Sequence, residues 1–425
     1  MRELSFLFLF LTILFPLIGA YRNQEKIYQL PFLYSVAFLI YVMPTLLAIM
    51  ETKASLDDTS YIRFTLFAAA CVWSACLGYY LAGRKQIKPI RRNFQYVYDD
   101  DKLCRAIYVF MAISFVLIVI LGGFDPESRT GGTYAILLYP ARFLRPATIM
   151  LLTVYLVKPS RTKLAFLIVS FLLSLKIILI DGRRSEAFNL FITIGFPLFF
   201  IKGYKIPRIF VIPGILGSIF IFTFFPVMRQ YTMRGNFDKV LTLSPLEAIQ
   251  NTEEADGRPS EIVDGARNMD VATLSGDYNY GVSAINLFVN QFASSTFFGK
   301  DFKESMTIDP ELDLSYQRDK YSKSDNDLFR FYLAPTGTAA IYLEFGYFGV
   351  IVFFLFGYMT RRFYMRAEAR NDIPNIMFYC FFSTFILFSV YDTIMSIPTM
   401  ISGYLIVFYV STLYARKKRF FTQTS

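Results

Sequence analysis

Long apolar runs separated by short polar connections make up most of the chain. Eight such runs precede one long polar segment, Arg229–Pro335, and three runs follow it. A run of about 20 apolar residues is long enough to cross a hydrocarbon core roughly 30 Å thick. Backbone polar groups in lipid must be paired within their own segment, and the alternating pattern of a membrane barrel is missing, so we expect helices.

The pattern therefore predicts an all-α polytopic integral membrane protein with about 11 transmembrane helices and one large extracytoplasmic loop. Residues 1–228 would hold helices one to eight, 229–335 the loop, 336–415 helices nine to eleven and 416–425 a basic tail. The fifth helix, Thr148–Val157, follows the segment Phe124–Ala147, and we expect that segment to dip into the interface or lie along it. The other predicted spans are Leu4–Tyr21, Leu30–Met50, Phe64–Gly83, Ala106–Gly123, Leu164–Ile180, Ala187–Ile201, Ile209–Met228, Thr336–Met359, Ile376–Met395 and Pro398–Ala415.

Charge is distributed unevenly between the loop and the short connections. The loop holds 11 Lys/Arg against 17 Asp/Glu, a net −6, whereas the rest of the chain holds 32 against 16, a net +16. Basic connections are typical of the cytoplasmic side of a membrane protein, and this distribution makes nucleic-acid binding a poor interpretation. Placing the tail Arg416–Arg419 in the cytoplasm and counting back through the spans puts the loop outside.

The first apolar run, Leu4–Tyr21, has a second interpretation as a signal peptide that ends near Ala20. Cleavage there would place every basic connection outside the cell, against the charge rule. We therefore expect the first run to stay as a transmembrane helix.

Residue types exclude several kinds of chemistry. A mean hydropathy of +0.42 with 55% hydrophobic residues agrees with a membrane protein. The chain has no histidine, which excludes His metal ligands, a Ser-His-Asp triad and a His general base. Its four cysteines lie in or at the ends of predicted spans, so we expect neither a disulfide framework nor a zinc site. We expect no cofactor and no metal, and a proton acceptor would be a carboxylate or a weaker group such as Tyr or water.

Arginines accumulate on the side predicted to face outward, against the usual charge bias. Guanidinium groups bind phosphate in bidentate geometry and stay charged at any relevant pH, so they suit the diphosphate of a lipid-linked substrate. The alternative is pairing with lipid phosphates or with the acids of the loop. The candidates are Arg142, Arg145, Arg183, Arg184, Arg229, Arg234 and Arg330, with Glu186 beside Arg184.

Glu344 is the most informative acidic residue. It lies about two turns, roughly 12 Å, into the predicted ninth span. A carboxylate inside a membrane is costly and indicates either function or a buried partner. A general base and an ion pair that orients an arginine are both possible roles for this side chain.

Two stretches resemble a known family. Ile180-Asp181-Gly182-Arg183-Arg184-Ser185 between two apolar runs resembles the short Gly-x-Arg turn of bacterial O-antigen and oligosaccharide repeat-unit polymerases of the Wzy type. The segment Ala339–Gly357, which contains Glu344, resembles the span that follows the large periplasmic loop of that family. The order of spans and loop also agrees with the family.

The resemblance implies a GT-C-like membrane architecture and a metal-independent glycosyltransferase of the bacterial inner membrane, with a periplasmic loop. Such an enzyme transfers a glycan from undecaprenyl pyrophosphate to the hydroxyl of an incoming lipid-linked repeat unit. Repeated transfer builds the O-antigen of lipopolysaccharide or another surface polysaccharide. The matching turn supplies Arg183, with Arg184 adjacent; Glu344 and Glu186 are the candidate catalytic acids. The implied partners are lipid-linked glycans, membrane lipids, a chain-length regulator and a repeat-unit flippase.

Three other functions stay open. The related O-antigen ligases share the architecture but use a periplasmic histidine, which this chain lacks. A membrane transporter of lipid-linked or anionic substrates is the main alternative, although we find no internal repeat between the two halves. A structural subunit of an envelope assembly, with the loop as docking surface, is the third.

Overall fold

The computed structural model is about 90% helical in the part of the chain that it describes. That part comprises residues 1–52, 56–83, 98–122, 132–179, 184–220, 261–283, 285–286, 289, 302, 305–308, 336–370, 373–391 and 397–416. No β-strand occurs among these residues. The predicted all-α class is confirmed.

Ten helices of the described residues precede the predicted loop. Most of them coincide with predicted apolar runs, because an apolar segment without water must pair its own backbone. They are α1 (Arg2–Arg22), α2 (Leu30–Tyr41), α3 (Met43–Thr52), α4 (Asp58–Gly83), α5 (Asp100–Gly122), α6 (Gly132–Ala141), α7 (Leu144–Val157), α8 (Arg161–Leu179), α9 (Arg184–Lys202) and α10 (Arg208–Phe220).

A loop helix and four helices after the loop follow in the described residues, beside shorter helical stretches of the loop within 282–306. The loop helix, α11, was not predicted. These elements are α11 (Glu261–Ser275), α12 (Gly337–Phe345), α13 (Gly349–Arg370), α14 (Ile373–Tyr391) and α15 (Ile397–Tyr414).

Five segments of the described residues are long and apolar enough to cross a membrane. They are Arg2–Arg22, Leu30–Met50, Asp58–Gly83, Asp100–Gly122 and Gly337–Ala369. The protein is therefore an all-α protein with the helices of a membrane protein. The count of eleven spans and the outward position of the loop stay predictions.

The predicted ninth span is interrupted instead of continuous. Helix α12 ends at Phe345, Gly346 has a positive φ of 56°, a 3₁₀ turn covers Gly346–Phe348, and α13 begins at Gly349. A Cβ at Gly349 would lie 2.3 Å from Cγ2 of Ile341, so only glycine allows the chain to fold back this closely. The break separates a short helix on the loop side from a long helix that ends in basic residues.

Helices α4 and α13 approach each other very closely. A Cβ at Gly78 would lie 2.1 Å from the carbonyl oxygen of Phe354, and a Cβ at Gly357 only 1.9 Å from that of Ala75. Small residues at a helix interface let the two backbones approach, which increases the van der Waals contact on which packing in a membrane depends. Gly357 therefore has a packing role in the stretch that carries the family resemblance.

Basic residues lie together at one end of the bundle. Lys205 pairs with Glu25 at 2.7 Å, and Arg208 donates to the carbonyl oxygen of Arg22 at 2.8 Å. The Arg361 guanidinium lies 5.0 Å from the ring centre of Tyr79 at the end of α4. The opposite end, reached by the N-termini of α1, α4 and α12, receives the loop helix.

Candidate functional site

The loop helix α11 is fixed on the N-terminal ends of α4 and α12. A Cβ at Gly265 would lie 2.9 Å from Cβ of Ala339 and 3.3 Å from Oγ1 of Thr336, so glycine makes this contact possible. Further along α11, the hydroxyls of Thr273 and Tyr342 lie 3.0 Å apart. These contacts join the polar loop directly to the broken ninth span.

A charged cluster reinforces the contact between α11 and α4. Asp270 forms an ion pair with Arg63, and the Ser60 hydroxyl contacts both Asp270 and Asp57. A hydroxyl has one proton to donate, so it cannot satisfy both carboxylates at once. Burial raises the pKa of Asp270, while Ser60 and Arg63 oppose that rise. Arg63 supplies the charge that makes the acidic pair tolerable.

A turn of the loop reaches the end of α12 and binds Glu344. The Asn279 and Tyr280 amides donate to the carbonyl oxygens of Leu343 and Glu344 at 3.1 and 2.8 Å. The Gly281 amide donates to Oε2 of Glu344 at 2.7 Å, and Nδ2 of Asn279 lies 3.5 Å from Oε1. We call these contacts, between residues 279–281 and 343–344, the clasp.

The clasp explains why a carboxylate is buried at this position. Carbonyl groups at the end of a helix have no partner within the helix, and the turn satisfies two of them. Glu344 is completely buried, and its oxygens accept hydrogen bonds from the turn and from Ser283. Among the described residues Glu344 forms no ion pair, so the arginine partner considered from the sequence is not found there.

Two other predicted site residues meet directly. Arg145, in the first turn of α7, forms an ion pair with Glu186, in the first turn of α9. The side chains are 25% and 18% exposed, so the pair is mostly buried but keeps an accessible edge. Tyr404 of α15 lies close enough to interact electrostatically with both. A contact between the Tyr139 hydroxyl and Oγ of Ser402, 2.9 Å apart, ties α6 to the same part of α15.

The remaining candidate arginines are placed only in part. Arg142 lies exposed between α6 and α7, three residues before Arg145, and Arg184 begins α9, although its side chain lies outside the described residues. The other four candidates lie outside the described residues altogether. They are Arg183, Arg229, Arg234 and Arg330.

The structure thus assigns the two candidate acids to different surroundings. Glu186 contacts an arginine and is partly exposed, whereas Glu344 contacts backbone and side-chain donors and is fully buried. No group of three His, Cys, Asp or Glu side chains converges in the part of the chain that the structure describes.

Comparison of the chain with protein-family models, with curated proteins and with solved structures finds no match.

Proposed function

We propose that this protein polymerises oligosaccharide repeat units linked to a polyprenyl diphosphate, as a metal-independent glycosyltransferase of the bacterial inner membrane. The observation that carries the proposal is the mostly buried but still accessible ion pair of Arg145 and Glu186, with the exposed Arg142 three residues earlier in the chain. A guanidinium that is fixed in place but still partly accessible suits the binding of a diphosphate.

The proposed reaction joins two lipid-linked glycans. A hydroxyl of the acceptor glycan attacks the anomeric carbon of the donor, the bond from that carbon to the diphosphate oxygen breaks, and polyprenyl diphosphate leaves with the electron pair. Arg145 and Arg142 would stabilise the negative charge that develops on the leaving oxygen. Holding the two reactants close together and aligned would supply much of the acceleration.

We assign the two acids different roles in this reaction. Glu186 is partly exposed and can meet a substrate hydroxyl, so it is the proposed proton acceptor, and it also orients Arg145. The fully buried Glu344 is bound within the clasp and is the proposed structural support of the loop. The resemblance instead implies that Glu344 is a catalytic acid, and the variant Glu344→Gln distinguishes the two roles.

In this proposal the ion pair of Arg145 and Glu186 and the loop lie at the periplasmic face. The basic residues at the other end of the bundle support this orientation, because such residues favour the cytoplasmic side. Undecaprenyl-pyrophosphate-linked glycans are the proposed substrates; a repeat-unit flippase and a chain-length regulator are the proposed protein partners.

Extension of a lipid-linked glycan by the purified protein tests the function. The full chain in lipid nanodiscs, given polyprenyl-diphosphate-linked repeat units, should yield products of increasing length without added metal. In cells, deletion of the gene should leave surface glycan as single capped units. No product longer than the starting unit, together with unchanged chain length in the deletion strain, would rule the polymerase out.

A transporter of lipid-linked or anionic substrates is the second candidate. The break at Gly346–Phe348 favours it, because interrupted helices often form the substrate sites of transporters. Liposomes that contain the protein separate the two functions: relocation of a labelled lipid-linked glycan across the bilayer, with no new glycosidic bond, would support the transporter.

A further inference from the structure

Tyr280 adopts a backbone conformation that a bulky residue rarely takes. Its φ is 48°, and it is the one non-glycine residue with positive φ among the described residues. The left-handed region is sterically unfavourable for an L-residue, so such a residue persists only where its surroundings impose it. Here the clasp imposes it, through the bonds that the amides of Tyr280 and Gly281 make to Glu344.

The strained turn places the Tyr280 ring at one end of a chain of aromatic side chains. Ring centres lie 6.4 Å apart from Tyr280 to Tyr278, 6.1 Å from Tyr278 to Tyr342, and 5.2 Å from Tyr342 to Tyr347. All three contacts are edge-to-face, a favourable geometry for aromatic rings. Each ring therefore holds its neighbour in a fixed orientation.

The two ends of this chain are exposed while its middle is buried. Tyr280 is 71% exposed and Tyr347 60%, Phe348 beside it is 76% exposed, and Tyr342 is fully buried. We call Tyr278, Tyr280, Tyr342, Tyr347 and Phe348 the aromatic platform. Its exposed rings flank the helix break, where the loop meets the membrane helices.

An acidic residue, Asp277, lies in the same turn as the exposed Tyr280 ring. Asp277 is exposed three residues before Tyr280, and its backbone amide donates a hydrogen bond to Oγ of Ser275 at 3.2 Å. A tyrosine belt at a membrane interface would need neither a strained backbone nor a carboxylate at its edge. An aromatic face beside a carboxylate matches a sugar ring, which offers C–H groups on one face and hydroxyls at its rim.

We propose that the aromatic platform binds a sugar ring of the lipid-linked glycan, with Tyr280 stacked on the ring and Asp277 accepting a hydrogen bond from a sugar hydroxyl. This inference rests on the proposed function, because the sugar belongs to the substrate of that reaction. The clasp then has a purpose beyond support: it presents Tyr280 to the glycan.

Kinetics of glycan extension by the full chain in nanodiscs test the platform. Tyr280→Gly removes the ring and also relieves the backbone strain, so the fold should be kept while KM for the lipid-linked glycan rises about tenfold, a loss of roughly 1.4 kcal/mol. Tyr280→Phe keeps the ring and should change KM less than about twofold. Tyr280→Asn, whose side chain tolerates the left-handed region, provides a second ring-free variant.

Tyr414→Leu is the matched control, since Tyr414 is exposed at the other end of the bundle. It should leave KM unchanged. Equal increases in KM for Tyr414→Leu and Tyr280→Gly would mean that the rings contact lipid, and would overturn the platform. Unchanged KM in both ring-free variants would overturn it while the polymerase stands, whereas no extension by the unmodified protein would refute the polymerase and the platform together.

Discussion

Replacement of Glu344 by glutamine separates a structural role of this residue from a catalytic one. Both Glu344 oxygens face donors, the Gly281 amide at 2.7 Å and Nδ2 of Asn279 at 3.5 Å. Glutamine keeps the shape of the side chain but replaces one acceptor with an NH₂ group, which cannot accept a hydrogen bond. One donor in a fully buried site then loses its partner.

The size of the effect follows from that lost partner. An unsatisfied buried donor costs about 1–3 kcal/mol. Because the clasp can open without unfolding the helices, this cost should raise the fraction of open clasp by about 5-fold to about 150-fold. The chain offers a control with the same chemistry in Glu368→Gln, since Glu368 is exposed near the far end of α13.

Hydrogen–deuterium exchange of the full chain in nanodiscs measures the opening. Peptides that cover residues 277–283 should exchange faster by that factor in Glu344→Gln and at the unmodified rate in Glu368→Gln. Unchanged exchange in Glu344→Gln together with abolished glycan extension would refute the structural role and identify Glu344 as the proton acceptor.

Three more predictions follow from other contacts. Arg145→Lys should lower kcat/KM for extension by about 100-fold or more although the charge is kept, because lysine cannot form the planar bidentate contact; near-normal kinetics would refute the diphosphate role. Gly357→Ala should destabilise the protein by about 3 kcal/mol or more in thermal unfolding, since its Cβ would collide with a backbone carbonyl, whereas Gly217→Ala, where a Cβ meets nothing within 4 Å, should be neutral or slightly stabilising. Burial raises the pKa of Asp264 in α11 to about 6, against an ordinary value of 3.8, so docking of α11 should be strongest below pH 4 and weaken as the pH rises through about 6. The protection factor of α11, which is its exchange rate corrected for the intrinsic rate at each pH, should fall between pH 5 and 7.5, and Asp264→Asn should remove that fall.

The sequence predicted the helices of the membrane part well because one physical rule governs them. An apolar run in lipid forms a helix because its backbone groups must pair within the segment. The predicted runs Leu4–Tyr21 and Phe64–Gly83 accordingly lie within α1 and α4. For Arg145 and Glu186, the sequence predicted only that both residues lie on the same side of the membrane. Their pairing depends on how α7 packs against α9, which spacing along the chain does not encode.

The loop helix and the helix break needed information from the tertiary structure. Helix α11 carries apolar residues at helical spacing, at Ile262, Ala266 and Met269, but buried polar residues such as Asn268 dilute that signal. Glycine is common within transmembrane helices, so Gly346 alone did not indicate a break. Glu344 accepts hydrogen bonds from the backbone amides of Gly281 and Ser283 as well as from the side chains of Asn279 and Ser283. Every sequence possesses backbone amides, so that half of the site could not be read from residue types.

The clasp also constrains the order in which the protein is assembled. Asp270 binds Arg63, 207 residues earlier, but Asn279 binds Glu344, 65 residues later. Since a chain is synthesised from its N-terminus, the turn at 279–281 emerges before its partner exists, while α11 already has α4 available. The loop helix can therefore dock early on α4, and the strained turn at Tyr280 is fixed only when α12 has been made. Glu344, which is synthesised after Tyr280, thus sets the geometry of the part of the platform that was made first.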